Sequence, residues 1–225
     1  MFPHHRLALP VYGITIFISA LLVFAVQPLF GKLALPLLGG SPSVWNTAML
    51  FFQTVLLLGY SYAHLSVRYL KPQSQIGLHI VVLLAAFVAL PISLSATWTT
   101  PGTHSPVFWL LGLLTVSAGL PFFAISSNAP LLQRWFAHTN HSAADDPYFL
   151  YAAGNAGSIL ALLAYPTIIE PMLSVKNQSW GWTGCFILLV MMIIACSAII
   201  WRAEPAPIAN SVQDPQITWR RRNHW

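Results

Sequence analysis

A chain of 225 residues in which 56% are hydrophobic and only 7% carry charge cannot dress a soluble surface; soluble domains are about 25% charged. Mean hydropathy is +0.67. The net charge of +5 does not indicate nucleic acid, because the basic residues sit at the ends of apolar runs and in the tail, where membrane proteins carry their orientation signal.

Six apolar runs lie between Leu7 and Trp201, and each is long enough to cross a ~30 Å hydrocarbon layer, which takes about 20 residues of helix. The first covers 9–30. It follows His4-His5-Arg6 and is longer than the 7–15 apolar residues of a signal peptide, so it reads as an uncleaved helix. The second covers 44–66, opened by Ser41-Pro42-Ser43 and closed by Arg68, Lys71 and Pro72. The third covers 75–95 and contains Pro91. An uncharged Thr-, Pro- and Gly-bearing loop, Ser95–Pro106, leads to the fourth at 107–127, which runs into Pro121 and is followed by Asn128-Ala129-Pro130. The fifth covers 148–168 and begins after Asp146-Pro147. The sixth covers 181–201 and stops at Trp201-Arg202.

These runs define an all-α fold, a polytopic bundle of six transmembrane helices over residues 1–202. Eight of the ten basic residues fall on the side of the termini: Arg6, Arg68, Lys71, Arg134, Arg202 and Arg220-Arg221-Arg222. Only Lys32 and Lys176 fall on the other. The positive-inside rule therefore predicts both termini in the cytoplasm, and 203–225 as a cytoplasmic basic tail. Tryptophans near the span ends (Trp45, Trp109, Trp135, Trp180, Trp182 and Trp201) fit interfacial belts.

Polar residues inside a bilayer are costly and are where function would show. The second span carries Asn46, Gln53, Tyr60 and His64 at steps of seven, seven and four, which share one helix face. They serve either as helix-to-helix hydrogen bonds or as the lining of a polar path. The fifth span carries Tyr148, Tyr151, Asn155, Ser158 and Tyr165, beside Gly154, Gly157 and Ala161, whose small size permits close packing. Pro121, Ser126, Ser127, Asn128 and Pro130 suggest a broken fourth helix. Unwound backbone at membrane depth is tolerated only inside protein or beside water, so Asn128 is a candidate cavity residue. Lys32 either snorkels to the outer interface or pairs with an acid such as Glu170, on the same predicted side.

The candidate polar cavity thus comprises Asn46, Gln53, Tyr60, His64, Asn128, Tyr151, Asn155, Lys32 and Glu170. Cys185 and Cys196 are eleven positions apart on one helix face, about 16 Å along the axis, too far for a disulfide. They read as packing residues. His64 and His79 flank the second loop and lack opposing histidines, so no haem is predicted, and no spacing suggests zinc. There is no phosphate loop, nucleophile elbow or metalloprotease motif, and five acids leave little for paired-carboxylate chemistry. No catalytic residue and no cofactor is expected.

Three stretches together resemble a known family. They are Gln27-Pro28-Leu29-Phe30-Gly31-Lys32 through Trp45-Asn46-Thr47 to Gly59-Tyr60-Ser61-Tyr62-Ala63-His64; Gly119-Leu120-Pro121-Phe122 through Asn128-Ala129-Pro130 to Trp135-Phe136; and Asp146-Pro147-Tyr148 through Gly154-Asn155-Ala156-Gly157-Ser158 to Glu170-Pro171. The pattern resembles the membrane part of bacterial spermidine synthase-like integral membrane proteins, the fused major-facilitator/spermidine synthase type. The resemblance covers nearly the whole chain. It implies residence in the bacterial cytoplasmic membrane and truncation before further helices and a soluble aminopropyltransferase-like domain. The chain would then be a non-catalytic anchor or substrate conduit for such a domain or partner. The rival reading is half of a small-molecule transporter, with polyamines among its candidate substrates, completed by a second six-helix module or a homo-oligomer. A remnant without function is the third.

Overall fold

The computed structural model describes residues 4–94, 105–139, 141, 143–144 and 147–202. The tail 203–225, most of the third loop and Asp145-Asp146 lie outside the described residues. Every regular element among the described residues is helical. Six helical stretches are long and apolar enough to span a membrane: Ala8–Leu38, Pro42–Tyr69, Pro72–Ala89, Pro106–Ala137, Tyr148–Met172 and Val175–Trp201.

Proline and glycine punctuate the chain. Helix α1 (His4–Leu38) ends where Gly39 takes φ +69°, with its N–H on the Leu35 carbonyl at 2.9 Å. This left-handed cap is one that a residue with a Cβ rarely adopts. Helices α2 (Pro42–Tyr69) and α3 (Pro72–Ala86) each begin on a proline, whose missing N–H costs nothing in the first turn. Helix α4 (Pro106–Leu114) starts the same way, then widens into a π-helical turn over Thr115–Gly119 before α5 (Leu120–Ser126). Helix α6 (Asn128–Ala137) completes the fourth span. Helix α7 (Tyr148–Ala164) passes through a second π turn, Tyr165–Ile169, to the short α8 (Glu170–Met172). Helix α9 (Val175–Arg202) closes the bundle.

Span limits differ most from the sequence reading at four points. One is the sixth helix, which begins at Val175 and not at 181, because Asn177-Gln178-Ser179 continue the helix below its apolar run. The first helix does not stop near position 30 but continues to Leu38, because Pro28 is accommodated inside it. Interior prolines are tolerated where neighbouring helices support the freed backbone groups. The third helix ends at Ala86, followed by a 3-10 turn over Phe87–Ala89, short of position 95. The fourth span runs past 127 to Ala137, interrupted only at Ser127. There Ser126 Oγ donates to the Phe123 carbonyl and Ser127 Oγ to the Ala124 carbonyl, both at 2.8 Å. Those bonds satisfy carbonyls near the break.

Helix α1 is the hub, with α7 on one side and α9 on another, while α2 packs on α4 and α5 and α3 on α5. Tyr12, Ile16, Leu22, Val26, Leu29 and Phe30 of α1 are all buried. The α1–α7 contact depends on small residues. A Cβ at Gly157 would fall onto the Phe17 carbonyl of α1, so only glycine permits that spacing. Between α1 and α9, Tyr12 Oη donates to the Cys196 carbonyl and Trp182 Nε1 to the Leu22 carbonyl, both at 3.1 Å. Trp182 and Trp135 are thus buried inside the bundle and not in an interfacial belt, because each indole N–H finds its acceptor on a neighbouring helix. Leu57, Val81, Val88, Leu163 and Met191 point outward, as a lipid-facing surface requires.

Candidate ligand cavity

A cavity of about 600 Å³ opens where the C-terminal third of α1, the first turns of α2, Leu110 of α4 and the end of α7 meet. This is the end of the bundle opposite His4 of α1 and Arg202 of α9. Counting ~1.5 Å per residue along α1, Lys32 lies about 42 Å from His4 and beyond a hydrocarbon layer entered near Leu9. The cavity therefore sits at an interface, beside the Gly39–Ser41 turn.

Its walls are mostly apolar: Phe30, Leu35, Trp45, Phe52 and Leu162. Gly31 sets one wall, because a Cβ there would meet the Trp45 indole at 2.8 Å. Trp45 can thus lie against the α1 backbone. The polar atoms come from Gln27, Lys32, Tyr165 and Glu170. Lys32 Nζ and Glu170 Oε1 pair at 2.7 Å, with side chains 32% and 41% exposed. Of the two sequence readings for Lys32, the structure shows the pair with Glu170.

The π turn explains how the far wall is built. Pro166 cannot donate a backbone hydrogen bond, and the ladder widens around it. Tyr165 Oη donates to Gln178 Oε1 at 2.8 Å, and Gln178 Nε2 donates to the Leu173 carbonyl at 2.9 Å. These bonds anchor the turn to the start of α9 and carry Glu170 toward α1.

A second polar cluster lies in the bundle interior. Asn128 Nδ2 donates to Ser19 Oγ at 3.0 Å, which orients the amide, and Asn128 Oδ1 accepts from His79 Nε2 at 2.6 Å. Ser19 Oγ in turn donates to the Ile125 carbonyl at 3.2 Å. One turn before His79, Gln75 Oε1 accepts from Trp135 Nε1 at 3.0 Å. Asn128 and His79 are almost wholly buried, and His79 Nδ1 has no hydrogen-bond partner among the described residues.

The nine sequence candidates therefore do not form one site. Lys32 and Glu170 meet at the cavity. Asn128 is separate, in the interior cluster. Asn46, Gln53, Tyr60 and His64 share one face of α2, and that face is exposed. Tyr151 and Asn155 are exposed on α7. Sequence reasoning missed Gln75 and His79 as partners; their four-residue spacing on one helix face was the available signal. It also missed Trp45 as a cavity wall. Cys196 is buried, with Sγ 3.4 Å from Thr15 Oγ1, and both cysteines are free. No group of three potential metal ligands occurs among the described residues.

Fold and burial together define the class: a multi-pass α-helical membrane protein with a polar-edged apolar cavity at one interface. Comparison with protein-family models, curated proteins and solved structures finds no match to this chain.

Proposed function

We propose that this chain is the membrane module of a spermidine synthase-like protein. It is a non-catalytic anchor in a bacterial cytoplasmic membrane that also offers a small-molecule path to a cytoplasmic aminopropyltransferase-like domain or partner. The family part of this reading rests on the three sequence stretches quoted above. The path rests on one observation, the cavity of about 600 Å³ with an ion pair at its edge. A bare anchor needs only close-packed helices, and an unfilled hollow forfeits dispersion contacts. A volume of this size falls in the ~300–1,000 Å³ range of small-molecule sites.

Affinity purification from membranes in mild detergent, with mass spectrometry of bound proteins and small molecules, tests it. Recovery of a soluble aminopropyltransferase-like partner supports the module. Transfer of an aminopropyl group by the purified chain alone overturns the non-catalytic assignment.

A second reading, half of a transporter, is favoured by the exposed amides Gln53 on α2 and Asn155 on α7. Neither makes a side-chain hydrogen bond among the described residues, and amides in lipid call for covering helices. Uptake by proteoliposomes of the purified chain, with no partner added, would favour this reading.

A further inference from the structure

We propose that the cavity binds an amphipathic zwitterion, its ammonium on Glu170 and its acidic group on Lys32, with an apolar body against Trp45 and Phe52. The proposal deepens the small-molecule path above and rests on that reading of the cavity.

Charge balance carries the argument. The cavity presents one cation and one anion, and they neutralise each other at 2.7 Å. A simple cation that takes Glu170 strands Lys32 beside apolar walls. A simple anion that takes Lys32 strands Glu170. Beside these walls a charge without a partner loses part of its hydration and gains no counter-charge, although both side chains keep some contact with solvent. A zwitterion avoids both penalties: it replaces one ion pair by two and leaves the site electroneutral. A polycation fits least well. After Glu170 there is no second carboxylate in the lining.

The walls set the rest of the ligand. Phe30, Trp45, Phe52, Leu110 and Leu162 would leave a small polar zwitterion such as glycine poorly covered. Partial exposure of both charged side chains lets the pair part for a ligand that gives each a new partner, since solvent-exposed ion pairs contribute little. A ligand displaces little by separating them. The interfacial position admits two sources of the same chemistry. One is a free apolar α-amino acid from water; the other is a zwitterionic lipid headgroup from the bilayer.

The test uses the full chain in nanodiscs of phosphatidylglycerol. The probes are radiolabelled L-leucine and L-phenylalanine, phosphatidylethanolamine followed by native mass spectrometry, and spermidine. Saturable one-to-one binding of an amino acid or of phosphatidylethanolamine is expected, and which one binds identifies the source. Lys32→Gln and Glu170→Gln should each weaken it at least tenfold, with size-exclusion profile and Tm retained. Leu110→Trp, which fills the cavity, should abolish it. Glu170-dependent binding of spermidine, with the zwitterions unbound, would overturn the ligand class while leaving the path intact. If Leu110→Trp changes the retention of no probe, the cavity is not a ligand path and both readings fall.

Discussion

Replacing Gly157 by alanine should destabilise the bundle by about 2–3 kcal/mol, toward the upper end of overpacking costs. The added Cβ would land on the Phe17 carbonyl, 3.1 Å from its carbon and 3.3 Å from Ala20 Cβ. Two of these three atoms are backbone, so no rotamer change relieves the clash. The α1–α7 pair, the broadest helix contact among the described residues, must separate instead. A gap of 0.5–1 Å forfeits about a quarter to a half of each dispersion contact along the seam. Gly154, one turn earlier, is the control: its Cβ would meet only Ile16 Cγ2 at 3.4 Å, an ordinary contact. At Gly181 and Gly184 nothing lies within 4 Å, so alanine there should be neutral or stabilising, by up to ~1 kcal/mol from helix propensity. Reversible unfolding in mixed micelles of mild detergent and dodecyl sulfate would rank the four variants. If Gly157→Ala falls within about 0.5 kcal/mol of Gly154→Ala, the packing argument is wrong, since surface-like changes have that size.

Asn128→Leu strands His79 Nε2 in the interior, an expected loss of about 2 kcal/mol, since each unsatisfied buried group costs roughly 1–3. Adding His79→Phe should recover most of it in the same unfolding assay, because removing both partners can be nearly neutral; no recovery would show that the bond is not what matters. Reporter fusions after Trp225 should give cytoplasmic signals and fusions within 96–105 periplasmic ones, and the reverse pattern would overturn the charge-based orientation.

Much of this architecture is legible in the sequence because a bilayer imposes a length and a composition on every span. The helix count follows from that constraint alone. Facing does not, because lipid is as apolar as a protein interior and hydropathy cannot say which side of a helix meets its neighbour. The seven-residue spacing of Asn46, Gln53 and Tyr60 correctly groups them on one face of α2, but it carries no information about what lies opposite. The informative residues were the small ones. Gly59, Ala63 and Ser66 form much of the buried face of α2, as Gly157 and Ala161 do on α7. The Lys32–Glu170 pair was readable as an option because charge is so scarce in the spans. The His79–Asn128 bond joins α3 to α6 across 49 positions, and a lone histidine near a predicted span end gave little reason to look for it. Pro28 misled in the other direction, since proline stops helices in water more reliably than in a supported membrane helix.

The polar groups left on the outside follow a rule of their own. Hydroxyls on exposed faces bond back to their own helix: Ser61 to the Leu57 carbonyl at 2.8 Å, and Thr167 to the Leu163 carbonyl at 2.6 Å. Those side chains need no partner. Gln53 is different, because its amide has two donors and makes no side-chain hydrogen bond among the described residues. It stands eleven residues into α2, about 16 Å along the axis and so well inside the hydrocarbon. An amide there loses several kcal/mol unless something hydrogen-bonds it. A covering helix is the economical answer, and a second copy is self-complementary because an amide both donates and accepts. Gln53→Leu should then shift the purified protein toward the monomer on size-exclusion with light scattering. If the native chain is already monomeric, or if the variant assembles equally well, Gln53 faces lipid and the half-transporter reading loses its main support. In that case Gln53→Leu should instead raise stability in the unfolding assay, since the exposed amide would have been a pure cost.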